Sequence, residues 1–205
     1  MEHWEYLLEQ ELQKPLPGIE AQLRMAPEMR RPVNSERPLR DGGVMILVYP
    51  HEYMWHTVFI KRTEYDGIHS GQVSLPGGIY EDHDITLVNT ALRETQEETG
   101  LPVSMVTVIG QLTLLHIPVS NVNVHPFVGR VEYHPEFRPD PSEVQYLIEV
   151  SLDELLNEEH HKTSRMSVHG RNISVPYFDI QGNRIWGATA MIMSEFLEVV
   201  KNSNK

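Results

Sequence analysis

LPGGIYEDHDITLVNTALRETQEETGLP, residues 75–102, is the stretch from which the rest of this chain can be read. Helix formers fill 86–99, Thr86 stands where an N-cap belongs, and Gly100 with Pro102 supplies the stop, so the spacing predicts a helix over 86–99. At about 100° per residue, Glu94, Glu97 and Glu98 share one face of it. Val88, Ala91 and Leu92 form a neighbouring apolar stripe, which lets the helix bury one side and hold three carboxylates at the edge of a cleft. Clustered carboxylates repel unless a cation compensates them, and a hard divalent cation that prefers oxygen is the natural partner. Arg93 stands four residues before Glu97 and can pair with it, orienting one ligand. Gly77 and Gly78 allow a close backbone approach that a side chain would block, so a carbonyl or amide can reach a metal or a phosphate.

An Arg-Glu-x-x-Glu-Glu helix taken alone is more often a solvated charged face. The Pro-Gly-Gly turn before it, the fixed spacer and the closing Gly-Leu turn the reading toward a site.

Working outward, residues 44–49 and 57–60 are apolar runs of strand length separated by a polar turn around 50–53, and are expected to be neighbouring strands. A short apolar piece at 73–75 follows a loop at 66–71. Segments 103–116 and 122–133 are β-rich and interrupted by Pro118, 151–157 is expected to be a short helix, and 188–200 a closing amphipathic helix. Near the start, Trp4, Leu7, Leu8 and Leu12 have helical spacing over 3–13, before a proline-rich connector at Pro15, Pro17 and Gly18. Helices mixed with clustered strands predict an α/β/α sandwich around a mixed sheet, with an added N-terminal helix and a C-terminal helix.

The 205 residues suit one domain over 1–205, with 1–40 as a helical and basic extension: within Arg24–Arg40, Arg24, Arg30, Arg31, Arg37 and Arg40 stand against only Glu28 and Glu36. The absence of cysteine excludes a disulfide framework, a thiolate zinc site and a cysteine nucleophile. A formal charge of −12 argues against nonspecific nucleic-acid or anionic-membrane binding, but not against a small anionic substrate. The acidic N-terminus lacks the form of a secretory signal, and no segment approaches the roughly 18 apolar residues of a membrane span, so a cytoplasmic location is expected. Among the histidines no HExxH or paired zinc spacing occurs, and Ser70 and Ser74 have no apparent triad partners.

Residues 75–102 closely resemble the Nudix box, the signature of the Nudix hydrolases, through Gly78 followed by Arg93, Glu94, Glu97, Glu98 and Gly100. The spacer is one residue longer than usual, with Asp84 where an acidic residue is common, and in this it is similar to the coenzyme A diphosphatase branch. Arg62, Gly71, Gln72 and Pro76 fit that branch's upstream motif. Trp186-Gly187-Ala188-Thr189, Leu16-Pro17-Gly18 and Met25-Ala26-Pro27 are similar to other segments of it. Gly67 and Leu75 depart from the motif, which has Arg and prefers Phe at those places.

The resemblance implies Mg2+- or Mn2+-assisted attack of water on a phosphorus of a nucleoside diphosphate derivative, with coenzyme A the substrate of that branch. Glu94 and Glu98 are then the principal metal ligands, with Glu97 shared or water-mediated and Gly78 close by. Arg62, His69, Gly71, Gln72 and Gly77 are placed on the substrate side. Glu143, in an expected loop before an apolar strand, is the candidate general base beside the helix glutamates. The alternatives are a Nudix diphosphatase of ADP-ribose or another nucleoside diphosphate derivative, and a nucleotide-binding module without catalysis. Retention of the repelling carboxylates in Arg93-Glu94-Glu97-Glu98 speaks against the last. A homodimer is left open.

Overall fold

The computed structural model describes residues 2–28, 38–63, 71–168 and 171–204. Its spine is β1 (Arg40–His51), and the unbroken apolar run at 45–49 explains why. Ile46 and Val48 belong to one buried cluster, while Met45, Leu47 and Tyr49 belong to the other, so both faces of the strand are covered. A run that is apolar on both faces is stable only as a central strand between two layers.

Strand β1 turns at Glu52 and Tyr53, both at positive φ, into β2 (Met54–Arg62), with Tyr49 opposite His56. Strand β2 is flanked by β3 (Val73–Ser74) and β8 (Val144–Ser151). At its beginning β1 pairs antiparallel with β4 (Gly77–Ile79), and along its length it runs parallel to β7 (Val122–Arg130). Strands β5 (Thr107–Gln111) and β6 (Leu115–Ile117) add antiparallel to β7. The result is one mixed sheet with the core order β3-β2-β1-β7-β5.

Helix α3 (Leu87–Thr99) covers the face of Met45, Leu47 and Tyr49. Thr86 caps it by accepting the Asn89 N–H at 3.3 Å, and Gly100 ends it at φ +72°, its N–H donating to Gln96 O at 2.9 Å. The other face carries α5 (Gly187–Ser203) and α1 (Glu2–Leu12), with the short α4 (Leu152–Leu156) after β8. The mixed sheet with helices on its two faces matches the sandwich expected from the sequence.

Two elements were not expected. The connector after α1 contains α2 (Gly18–Leu23), because Gly18 adopts φ +69° and its N–H donates to Glu195 Oε1 on α5 at 3.1 Å. Glu195 is fully buried and also accepts from Gln22 Nε2 at 2.8 Å and Thr113 Oγ1 at 2.6 Å, joining α2, α5 and the link between β5 and β6. Residues 161–186 form a second antiparallel sheet, β9 (His161–Val168), β10 (Arg171–Ile180) and β11 (Asn183–Trp186), where the sequence reading assigned nothing. The stretch 103–105 is a 3-10 turn rather than the start of a strand. Of the basic stretch, Arg24 pairs with Glu198 at 2.9 Å and Arg40 opens β1, while Arg30, Arg31 and Arg37 lie outside the described residues. No helix among the described residues is long and apolar enough to cross a membrane.

Candidate active site

The site lies where the last turns of α3 meet β4 and the end of β2. Antiparallel pairing of β4 with β1 fixes Gly77 opposite Val44 and Gly78 opposite Gly43. Gly77 sits at φ +151°, and a Cβ there would come within 2.4 Å of Gly43 O, so only glycine serves. At Gly78 the reason is different: a Cβ would lie 2.3 Å from the Glu94 carboxylate, which rests against this glycine.

Glu98 is fully buried. Its Oε1 accepts from Arg62 Nη1 at 2.8 Å and its Oε2 from the Gly77 N–H at 2.8 Å. Burial pushes its carboxyl up to about 7 against the pull of Arg62 and the Gly77 N–H, with the charges of Glu94 and Glu143 adding to the rise. Burial likewise raises Glu94, opposed by its bond to Arg93 and helped by Glu97 and Glu143.

Arg93 organises the rest. Its Nε and Nη2 donate to Asp84 Oδ1 and Oδ2 at 2.7 and 3.0 Å, and its Nη1 donates to Glu94 Oε1 at 2.8 Å and Glu97 Oε2 at 3.0 Å. The expected Arg93–Glu97 pair is therefore present, but the buried anchor is Asp84, which also accepts the Glu81 N–H and the Thr90 hydroxyl. The Arg93 guanidinium holds the Asp84 carboxyl well below the usual range, and Asp84 in turn strengthens the Arg93 charge. Asp84 stood in the sequence only as an acidic residue in the spacer. Its grip on a residue nine places later depends on a 3-10 turn, Asp82–Asp84, that no periodicity signals.

Glu143 is exposed, and the main chain sets its place: its carbonyl accepts the Thr63 N–H at 2.9 Å just beyond β2. From there its charge reaches both Glu94 and Glu98. Glu94, Glu97, Glu98 and Glu143 thus form one neighbourhood of oxygen donors, two of them raised by burial and mutual repulsion. That chemistry suits a hard divalent cation. As the side chains stand, no three His, Asp or Glu groups among the described residues are arranged to hold a metal ion, and Arg62 and Arg93 supply the compensating charge instead.

Arg62, expected on the substrate side, is therefore bound to Glu98 in this arrangement. Gly71 and Gln72 line a cavity of about 290 Å³ together with Lys61, Arg184 and Trp186. Lys61, Arg184 and Trp186 are not among the binding residues expected from the sequence, where Trp186 figures only in a helix start. Asn183, also in the cavity's lining, accepts the Tyr146 hydroxyl at Oδ1 at 2.8 Å. His69 and Gly67 lie outside the described residues. At the far end of β1 from the α3 carboxylates, His51 stacks on His134 and meets His56 edge-on.

Fold and site together define an α/β sandwich with a mixed sheet, in which one helix carries the acidic cluster behind a Gly-Gly strand. The family model described as NUDIX domain matches residues 39–169, and the chain belongs to the Nudix family. It is 34% identical to a protein of Photorhabdus laumondii over 133 residues, 65% of this chain and 71% of that one. It is also 34% identical to one of Yersinia pestis over 140 residues, 68% and 70% of the two chains. Both relatives are named uncharacterized Nudix hydrolase NudL. Among solved structures, a MutT protein from Methanosarcina mazei superimposes with a TM-score of 0.52 at 19% identity, covering 84% of this chain and 99% of that one. A MutT/nudix family protein from Enterococcus faecalis gives 0.55 at 14% identity, covering 84% and 66%. At those identities the likeness shows the fold alone.

Proposed function

We propose that this Nudix protein is a divalent-metal-dependent diphosphatase that cleaves coenzyme A or its derivatives to phosphopantetheine and adenosine 3′,5′-bisphosphate. The observation that carries the chemistry is the oxygen-donor neighbourhood of Glu94, Glu97, Glu98 and Glu143, braced by Arg93 on buried Asp84. Glu94 and Glu98 would hold Mg2+ or Mn2+, with Glu97 taking a shared or water-mediated place. When bound, the ion would neutralise diphosphate oxygens and lower the pKa of water. Glu143, exposed and with its charge felt by Glu94 and Glu98, takes the proton as water oxygen bonds to phosphorus and the bridging P–O bond breaks. Gly77 and Gly78 bring main chain rather than side chain to the edge of this space.

The substrate reading is supported by the upstream motif around Arg62, Gly71 and Gln72 and by the cavity that two of these residues line. Lys61 and Arg184 enter that cavity, a chemistry that suits the additional phosphate monoester distinguishing coenzyme A from ADP-ribose. The test is hydrolysis of coenzyme A, dephospho-coenzyme A and ADP-ribose under one set of conditions, with the products identified. Coenzyme A or its thioesters should have the highest kcat/KM. A value for ADP-ribose equal to or above that for coenzyme A replaces this reading with an ADP-ribose-type diphosphatase.

A further inference from the structure

Glu98 has no solvent-exposed surface, yet the proposed function requires its carboxylate to receive a cation that arrives from solvent. Each oxygen is covered by one donor. The first cover, the Gly77 N–H, belongs to the main chain of β4 and is fixed by pairing with β1; moving it would unzip that ladder. The second, Arg62, is a side chain at the end of β2, a quarter exposed. Among the described residues its guanidinium has no hydrogen-bond partner other than Glu98. Arg93 makes the contrast plain, since Asp84 and Ile79 O keep it in place whatever happens at Glu94.

We infer that Arg62 is a displaceable counterion: it neutralises buried Glu98 in the free protein, gives way when the divalent cation enters, and then binds the substrate's diphosphate oxygens. This rests on the metal-dependent reading above. Two cations repel at one buried carboxylate, so the incoming ion and Arg62 compete for Glu98. The released guanidinium is still tethered to the end of β2 beside the site, and its planar fork matches a phosphate as well as a carboxylate. Metal and anionic substrate therefore bind with positive coupling, and that coupling is reciprocal. Arg62 thereby becomes a positioning residue in the free state and a substrate contact in the loaded one.

The experiment measures Mn2+ binding to the substrate-free protein, by electron paramagnetic resonance of free Mn2+ or by calorimetry, in wild type, Arg62→Met and Arg62→Lys. Arg62→Met should bind Mn2+ roughly tenfold tighter than wild type, with Arg62→Lys between the two. A methylene-bridged diphosphonate analogue, which cannot be hydrolysed, should gain affinity from Mn2+ in wild type and lose most of that gain in Arg62→Met. If Arg62→Met does not fold, the charge-retaining Arg62→Lys carries the comparison, because lysine holds Glu98 through a single point charge and should still bind Mn2+ more tightly than wild type. Unchanged or weaker Mn2+ binding in the folded variants overturns the exchange and leaves Arg62 as a fixed brace for Glu98. If wild type binds no Mn2+, the metal-dependent function falls and the exchange with it.

Discussion

Asp84 grips Arg93 with both carboxylate oxygens, one on Nε at 2.7 Å and one on Nη2 at 3.0 Å. That leaves Nη1 to span Glu94 and Glu97, so the direction of two helix carboxylates is set from outside the helix.

Asp84→Asn keeps the shape but turns an amide N–H toward the Arg93 donors. The protein should remain folded by circular dichroism while kcat/KM falls roughly 10–100-fold, the usual loss when a partner that orients a ligand is removed. Steady-state kinetics with unchanged turnover would sink the idea that Asp84 sets the site through Arg93.

The same pair gives a pH dependence. The folded carboxyl of Asp84 titrates below its ordinary value because Arg93 binds its charged form. Its stabilisation is therefore complete above about pH 5, where the unfolded residue is also ionised, and is lost as the pH drops below that. In urea unfolding, the stability gap between wild type and Asp84→Asn should be wide at pH 7 and narrow steadily between about pH 5 and pH 2. A constant gap would mean that charge has no part in it.

The two adjacent glycines should respond differently to alanine. In Gly77→Ala the new Cβ meets the fixed Gly43 carbonyl at a φ that alanine avoids, costing on the order of 3 kcal/mol in thermal or urea unfolding. In Gly78→Ala the obstacle is the movable end of Glu94, so the fold should survive while turnover drops through displacement of that carboxylate. Equal effects on stability would contradict this division.

How much of this was readable beforehand depends on the range of the interaction. The cap at Thr86, the stop at Gly100 and the shared face of Glu94, Glu97 and Glu98 are set within a few residues, and the structure has them where the spacing put them. The Arg62–Glu98 bond joins residues 36 apart through the meeting of a strand end with a helix end, and no local pattern encodes that. Strand β9 escaped because its described side chains are exposed or only partly buried, leaving no period-two apolar signal. Helix α2 escaped because Pro17 and Gly18 read as breakers, whereas here they start a helix whose first N–H is claimed by distant Glu195.

Glu98→Gln should reduce turnover by orders of magnitude. It should also destabilise the fold, by about 1–3 kcal/mol, since an amide can accept from only one of Arg62 and the Gly77 N–H and presents a donor to the other. Near-normal turnover in Mg2+ by a folded Glu98→Gln protein would remove this residue from the site.

For Glu143→Gln the expectation is a lower kcat with KM nearly unchanged, because a general base acts in the transition state and not in binding. The residue is exposed, so stability should hardly move. An unaltered kcat would return the proton to one of the α3 carboxylates.

Glu195 gives the molecule a boundary different from the one its kinship draws. The family match ends at residue 169, between β9 and β10 in the sequence, and begins at 39, after α2. Yet the buried carboxylate of Glu195 is satisfied by Gly18 and Gln22 from before that segment and by Thr113 from within it. A chain trimmed to the matched segment would lose α5 and two strands of the second sheet. One trimmed only at its front would leave a buried carboxyl group with two of these three donors gone, at a cost of several kcal/mol. The inherited module and the cooperative folding unit are thus different lengths of chain, and the flanking sequence is as much a part of the protein's interior as the sheet it encloses.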